Sequence, residues 1–453
     1  MKREFDVIVI GAGPAGEVCA GGLADGGLEV AIVEQDLVGG ECSFYACMPS
    51  KALLRPAQAL AEARRIPGAA EAAIGKLDVK AALERRDEVI HGLDDSAQLP
   101  WLEDRSIELV RGHGRLAGER EVQVGETRLR ARRAVVLAPG SRASIPPIPG
   151  LEDADPWTNR EATTAGEIPA SLLILGGGVV GVEMAWAYTS LGSSVTLVEA
   201  APRLIAGEEE IASELVLKGL QEQGVEVILE AKATAVRREG PGSPVTIELE
   251  GRDSVSGAEL LVAAGRKPLT DDIGLDAIGL DAGGFVEVSD SMQVPGRDWL
   301  YVVGDANGRA LLTHMGKYQA RMVVGELTGK PLSSSPAEAV VPRVIFTEPQ
   351  VAAVGHTLAS ARKAGLRVKQ LSQRLEGTAG ASFIGHGAGG CVTVLVDERR
   401  GVLVGATFIG VDVAESLHAA TIAIVGEVPV ERLAHAVPSF PTRSEVWLGL
   451  LAG

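Results

Sequence analysis

Apolar residues in this chain gather in short runs that end in glycine and give way to alanine-rich stretches. Val7-Ile8-Val9-Ile10 runs into Gly11-Ala12-Gly13-Pro14-Ala15-Gly16, and an alanine-rich segment leads on to Val30-Ala31-Ile32-Val33-Glu34. Leu172-Leu173-Ile174-Leu175 runs into Gly176-Gly177-Gly178-Val179-Val180-Gly181, and a second such segment leads to Val195-Thr196-Leu197-Val198-Glu199. Each copy predicts a buried strand, a Gly-x-Gly-x-x-Gly turn, a helix, and a second strand closed by a carboxylate. In both, the acid lies 23 residues after the first glycine. The first glycine makes the turn, the second lets backbone approach a pyrophosphate, and the third lets helix and strand pack closely. The helix N-terminus offers free N–H groups to the phosphates, and the acid takes ribose hydroxyls. Two dinucleotide sites in one chain point to electron transfer between a hydride donor and a tightly held flavin.

Composition narrows this. At 453 residues the chain is long enough for two to four domains, and 46% hydrophobic with 23% charged residues is an ordinary globular balance. The 56 glycines follow no collagen-like period and read as tight turns and close backbone approaches. A net charge of −17 argues against nucleic acid or an anionic membrane as partner. The most apolar stretch, 172–188, is interrupted by glycines and Glu183, so no spanning segment is expected. Lys2-Arg3 is followed at once by Glu4 and Asp6, which does not make a secretory signal, and the expected location is cytoplasmic. Four cysteines cannot form a disulfide scaffold, so a pair among them suits redox chemistry better. No metal site is expected.

Cys42 comes eight residues after Glu34, within Gly39-Gly40-Glu41-Cys42-Ser43-Phe44-Tyr45-Ala46-Cys47-Met48-Pro49-Ser50-Lys51. The spacing alone is weak, but the neighbours are specific. This stretch resembles the active-site signature of the flavoprotein disulfide reductases (lipoamide dehydrogenase, glutathione reductase, mercuric reductase): Gly-Gly-x-Cys, four residues, Cys, then x-Pro-Ser-Lys. Ala46 stands where that family has glycine, and the helical geometry is expected to survive the added methyl group. The resemblance implies an α/β fold with two Rossmann-like domains, for FAD and NAD(P), plus a C-terminal α+β dimerisation domain. It divides the chain into an FAD domain (1–150), an NAD(P) domain (151–268), a central region completing the FAD site (269–338) and an interface domain (339–453). The last begins near Pro342-Arg343-Val344-Ile345-Phe346-Thr347-Glu348-Pro349.

Residue by residue, the resemblance assigns FAD to Gly11, Gly13, Gly16, Glu34, Gly40 and Lys51. It adds Gly114 in the adenine-side loop Arg111-Gly112-His113-Gly114, and Gly140 and Ser141 in the second flavin motif, before the Pro146–Gly150 exit. Gly304 and Asp305 match the motif whose aspartate binds the ribityl chain, and Thr313 and His314 fall where backbone meets the flavin ring. NAD, with NADP possible, is assigned to Gly176, Gly178, Gly181, Glu183, Glu199 and Gly265. Glu199 should repel a 2′-phosphate and favour NADH, with Arg203 close enough to offset some of that repulsion. The family mechanism implies electron flow from nicotinamide through flavin to a Cys42–Cys47 disulfide. Cys47 is then the charge-transfer thiolate and Cys42 the exchanging thiol, both expected to have lowered pKa values near a helix start. Lys51 and Glu183 match the family's ion pair near the flavin N5. Cys19 and Cys391 read as small buried core residues.

One feature departs from that family. Disulfide-reducing members end in a His-Pro-Thr-x-Ser-Glu segment that reaches across the dimer, its histidine held by the glutamate. Here the segment is Ser439-Phe440-Pro441-Thr442-Arg443-Ser444-Glu445, so Glu445 is present and Phe440 takes the histidine position. Phenylalanine carries no exchangeable proton, and general acid–base catalysis of this kind is worth roughly 10²–10⁴-fold. The chain also lacks a cysteine after Cys391, unlike mercuric reductases. The expected activity is therefore an FAD-dependent NAD(P)H oxidoreductase acting on a small-molecule acceptor other than a disulfide, such as a quinone. The expected assembly is a homodimer with its active site shared across the interface. A lipoamide dehydrogenase with another proton donor, such as water, and a redox-sensing or complex-partner protein with little turnover are the alternatives.

Overall fold

The computed structural model describes residues 3–332 and 340–452, and it divides into two compact units. The expected boundary at 338–339 lies outside the described residues.

The first unit joins Met1–Pro49, Arg85–Ser144 and Gly265–Glu338. Its seven-stranded sheet runs Glu108–Arg111, Val30–Glu34, Glu4–Ile10, Thr127–Leu137, Glu121–Val124, Gly114–Gly118, with Leu300–Val302 also pairing Thr127–Leu137. The pairs around Glu4–Ile10 and Leu300–Val302 are parallel, while the two hairpin pairs at the far end are antiparallel. Helices Pro14–Asp25 and Thr313–Thr328 belong to the same unit. One glycine in the first helix and the one that caps it are required by contact: a Cβ on Gly22 would lie 2.8 Å from Val324, and one on Gly26 2.5 Å from Thr328.

The second unit joins Ser50–Glu84, Ile145–Ala264 and Ala339–Gly453. A four-stranded parallel sheet orders Glu226–Ile228, Ser194–Val198, Ser171–Leu175 and Glu259–Val262, with helix Val179–Ser190 after the glycine turn. A three-stranded antiparallel sheet, 233–257, accompanies it. The C-terminal part is a five-stranded antiparallel sheet with helix Leu417–Val425 against it, around a core of Val392, Val394, Ala406, Phe408 and Ala420. Among the described residues no helix is long and apolar enough to cross a membrane.

The two glycine turns repeat each other bond for bond. Ile10 is in register with Val33, and Leu175 with Val198. Gly11 N–H donates to Val33 O at 2.8 Å, and Gly176 N–H to Val198 O at 2.9 Å. Both first glycines have left-handed φ, +102° and +115°, and a Cβ there would strike a backbone oxygen of the neighbouring strand's extension, Ala138 or Ala263. Both third glycines are closed more tightly still, since a Cβ on Gly16 or Gly181 would lie 1.9 Å from the carbonyl oxygen of Gly11 or Gly176. The second glycines, Gly13 and Gly178, face open space. Gly16→Ala and Gly181→Ala should therefore each destabilise by about 1–3 kcal/mol, as overpacking does. Gly13→Ala and Gly178→Ala should leave the unfolding midpoint nearly unchanged and weaken dinucleotide binding instead. Thermal unfolding of the four variants beside binding titrations checks this; a neutral Gly181→Ala would contradict the packing argument.

Candidate redox site

The carboxylates that end the two repeats are already bonded to the turns they serve. Glu34 is buried, and its Oε2 accepts from Ala12 N–H at 2.7 Å while Oε1 accepts from Asp36 N–H at 2.8 Å. Glu199 does the same, with Oε2 on Gly177 N–H at 2.5 Å and Oε1 on Ala201 N–H at 2.6 Å. Ala12 and Gly177 are the residues just after the first glycines, so each acid holds its turn. Beside the first turn is a cleft lined by Gly11, Glu34, Gly112, His113, Gly114 and Arg142, among others. Open space at Gly13, a helix N-terminus behind it and a carboxylate-edged cleft fit the adenosine and pyrophosphate of FAD. His113 is anchored there, its Nδ1 2.8 Å from Gln35 Oε1 and its Nε2 2.7 Å from Asp272 O.

The cysteine segment is pressed onto that same turn. Gly39 N–H donates to Ala12 O at 2.8 Å, and a Cβ on Gly40 would lie 2.7 Å from Gly13 Cα. With φ of +112° and +58°, these glycines let the segment pass close to the phosphate turn. The helix does not continue through the segment as expected. Gly40–Phe44 is a short helix containing Cys42, the chain turns at Tyr45-Ala46, and a new helix begins at Cys47 and runs to Arg65. Cys47 thus occupies a helix N-terminus, and Lys51 follows one turn later.

Thr313 Oγ1 lies 3.4 Å from Cys47 Sγ. For Cys42 the expected lowering is not found. Its hydrogen bond to Cys47 raises the Cys42 pKa, as do burial and the negative charge Cys47 would carry, outweighing Thr313 and the Lys317 ammonium. Lys317, one turn past Thr313 on the helix Thr313–Thr328, was not singled out from sequence, nor was Arg266. Arg266 Nε donates to Ser141 Oγ and Nη2 to Ser141 O, both at 2.7 Å, with Glu41 Oε1 at 3.3 Å and Asp305 Oδ2 at 3.9 Å. Ser141 in turn donates to Asp305. Burial pushes the Asp305 carboxyl up, with Ser141 and Arg266 opposing and Glu41 adding. This brings Gly140-Ser141, Gly265-Arg266, Glu41 and Gly304-Asp305 into one cluster. Gly304 itself has φ +74° and donates its N–H to Gln319 Oε1 at 2.7 Å. His314 is exposed at the start of its helix.

In the second unit, Lys51 Nζ lies 2.7 Å from Glu183 Oε2, and Glu183 Oε1 accepts from Phe346 N–H at 2.9 Å. Glu183 is only 3% exposed, so its helix buries this carboxylate and partners both oxygens. The C-terminal tail is pinned on two sides. Glu445 Oε2 accepts from Gly380 N–H at 3.2 Å, a Cβ on Gly380 would lie 2.2 Å from Thr442 C, and Arg443 donates to the Val411 and Asp412 carbonyls. Phe440, just before this anchored stretch, is 77% exposed. Cys19 is buried as expected, while Cys391 is only half-buried. Among the described residues no group of His, Cys, Asp and Glu is arranged to hold a metal ion.

Paired dinucleotide turns, with a dithiol folded onto the first, define a two-electron oxidoreductase with a flavin site and a nicotinamide site. The chain belongs to the pyridine nucleotide-disulphide oxidoreductase family, whose nucleotide-binding part matches residues 5–320 and whose dimerisation domain matches 341–450. Members are FAD-dependent enzymes that use NAD(P)H, and the dimerisation domain supports a homodimer. A dihydrolipoyl dehydrogenase of Chlorobaculum tepidum is 33% identical, over 98% of this chain and 96% of its own. A mercuric reductase of Staphylococcus aureus is 27% identical, over 98% and 81%. Among solved structures, the Cu(II) complex of the HOCl-induced flavoprotein disulfide reductase RclA from Escherichia coli superposes with a TM-score of 0.86 at 25% identity, over 98% and 99%.

Two outcomes follow from the electrostatics. In the reduced protein, Cys47→Ala removes the group that raises the Cys42 pKa, so Cys42 should be alkylated faster by iodoacetamide at pH 7.5 than in the parent; an unchanged rate would mean the pair is uncoupled. Glu17, in the first turn of the helix Pro14–Asp25, has its carboxyl pushed up to about 7 by burial, with Lys317 opposing and Glu34 adding. A raised carboxyl pKa stabilises the fold below the unfolded value near 4.5, and that contribution is lost as pH rises to about 7. Glu17→Gln should therefore raise the melting temperature more at pH 8 than at pH 4; equal shifts would show that Glu17 is not ionising in place.

Proposed function

We propose that the enzyme takes electrons from NADH and delivers them to an acceptor that needs no imidazole proton relay, such as a quinone. The reading is supported by Phe440, which the resemblance aligns with the family's histidine and which is an exposed apolar side chain. FAD, when bound, supplies the step between a hydride donor and a dithiol or an oxidised acceptor. The chain's own residues do the rest. Glu34 and Glu199 hold the two turns and receive ribose hydroxyls, and Ser141, Arg266 and Asp305 form the polar cluster for the ribityl side. Lys51 is held by Glu183 as a fixed cation beyond Cys47 on one helix, and the hydrogen bond to Cys47 raises the Cys42 pKa. In the homodimer, the tail bearing Phe440 would line the partner's acceptor mouth with an aromatic edge rather than a proton donor.

A second reading is favoured by the relatives named dihydrolipoyl dehydrogenase: turnover of a lipoamide-type disulfide, with water as proton donor. Phe440→His separates the two. Glu445 Oε2 is engaged by Gly380, and Oε1 is the oxygen that would orient the new ring. Disulfide turnover should rise about tenfold or more, equivalent to about 1.4 kcal/mol off the barrier, while quinone turnover barely changes. Anaerobic assays of parent and variant at one pH, with Hg(II) and Cu(II) included as acceptors, measure this. If the parent already reduces lipoamide as fast as its best other acceptor, the lipoamide reading replaces ours.

A further inference from the structure

Arg203 follows Glu199 by four residues, and from sequence it is the cation that could meet a 2′-phosphate. The structure employs it otherwise. Its Nη1 donates to Glu208 O at 2.9 Å and to Ser213 Oγ at 2.7 Å, and its Nη2 donates to Ala206 O at 2.6 Å. Ser213 is 3% exposed and passes the tie on, donating from Oγ to Leu204 O at 2.7 Å. The guanidinium thus sits inside the loop that follows the second strand, bonded to oxygens of that loop and of the helix Glu210–Glu222 after it. Swinging out to a phosphate would leave the Glu208 and Ala206 carbonyls and the Ser213 hydroxyl without this donor.

The loop so closed bears on the nicotinamide-side turn. Ile205 N–H donates to Gly177 O at 2.8 Å, and the backbone at Ile205 is held at φ +42°. Leu204 is 1% exposed, and a Cβ on Gly177 would lie 2.5 Å from its Cδ2 and 3.1 Å from Glu199 Cγ. Gly177 is therefore gripped by Glu199 through its N–H and by the loop through its C=O.

We propose that Arg203 is a positioning residue for nicotinamide coenzyme binding: it locks the 201–209 loop over Gly177, and so fixes Glu199, and it does not read a 2′-phosphate. The inference rests on Glu199 receiving the adenosine ribose. It leaves discrimination against NADPH to Glu199, unopposed by Arg203.

The test uses the FAD-loaded enzyme with a dye acceptor, together with calorimetric binding of NAD⁺ and NADP⁺ and hydrogen exchange of the 201–208 amides. Arg203→Gln should raise the KM for NADH about tenfold with kcat changed less than about twofold. It should weaken NAD⁺ and NADP⁺ binding by similar factors and speed exchange across the loop. Arg203→Lys should fall between, and Ser213→Ala should reproduce a weaker form of the same effects, which keeps the test open if Arg203→Gln folds poorly. A selective loss of NADPH use with NADH unaffected would show that Arg203 reads the phosphate, and no change with either coenzyme would show that the tie is idle; either result overturns the proposal. Glu199→Gln is measured in parallel. If it leaves the NADPH-to-NADH ratio unchanged while the arginine variants behave as described, the reading of Glu199 fails and the loop-locking role of Arg203 stands.

Discussion

A carboxylate bonded to the amide just after the first glycine is the interaction on which each nucleotide half depends. Glu34 on Ala12 and Glu199 on Gly177 join the end of the second strand to the turn that leaves the first. A hydrogen bond to a charged group contributes roughly 1.5–3 kcal/mol, and here it also holds open the ground in front of Gly13 and Gly178. In the first unit the consequences reach the chemistry directly. The ordered turn is the surface against which Gly39 and Gly40 pack, and that packing sets where Cys42 and the helix opened by Cys47 begin. The Gly-Gly of the cysteine signature is thus a steric demand of the phosphate turn, as well as a mark of kinship.

Much of this was legible in the sequence because the repeat is local: strand, turn, helix and acid fall within about thirty residues, and each glycine has its own steric reason. The C-terminal α+β domain followed from family resemblance rather than from periodicity, and its antiparallel five-stranded sheet was not read from the sequence. What the sequence hid are pairings between residues far apart in the chain. Arg266 meets Ser141, Glu41 and Asp305 across 125, 225 and 39 positions, and nothing near Gly265 announces those partners. Lys317 carries no motif of its own and matters only because its helix starts at Thr313, beside Cys47. Proximity in sequence also misled. Arg203 lies near Glu199 yet is consumed by its own loop, and Cys42 lies in a helix yet has its pKa raised by its neighbour Cys47. Ala46 sits at the break between two helices, so the methyl group occupies a turn rather than a helix interior.

The two ends of the reaction are built with unequal care. On the donor side the carboxylates, glycines and loop are bonded two and three times over. The C-terminal tail is anchored through Glu445 and Arg443, and the residue it would present to an acceptor on the proposed reading, Phe440, cannot carry a proton. On the proposed reading, a fold that moves electron pairs, joined to a mouth edged by Phe440, favours acceptors whose reduction does not require a leaving thiol to be protonated.

The most direct measurement is a single turnover of the unmodified homodimer. The enzyme is reduced anaerobically with one equivalent of NADH and then mixed rapidly with a quinone or with lipoamide, and its reoxidation is followed by absorbance and by counting free thiols. Reoxidation by the quinone should be rapid and reoxidation by lipoamide slower by about two orders of magnitude, the low end of what a positioned acid supplies. Equal rates with the two acceptors, or a faster reaction with lipoamide, would contradict it.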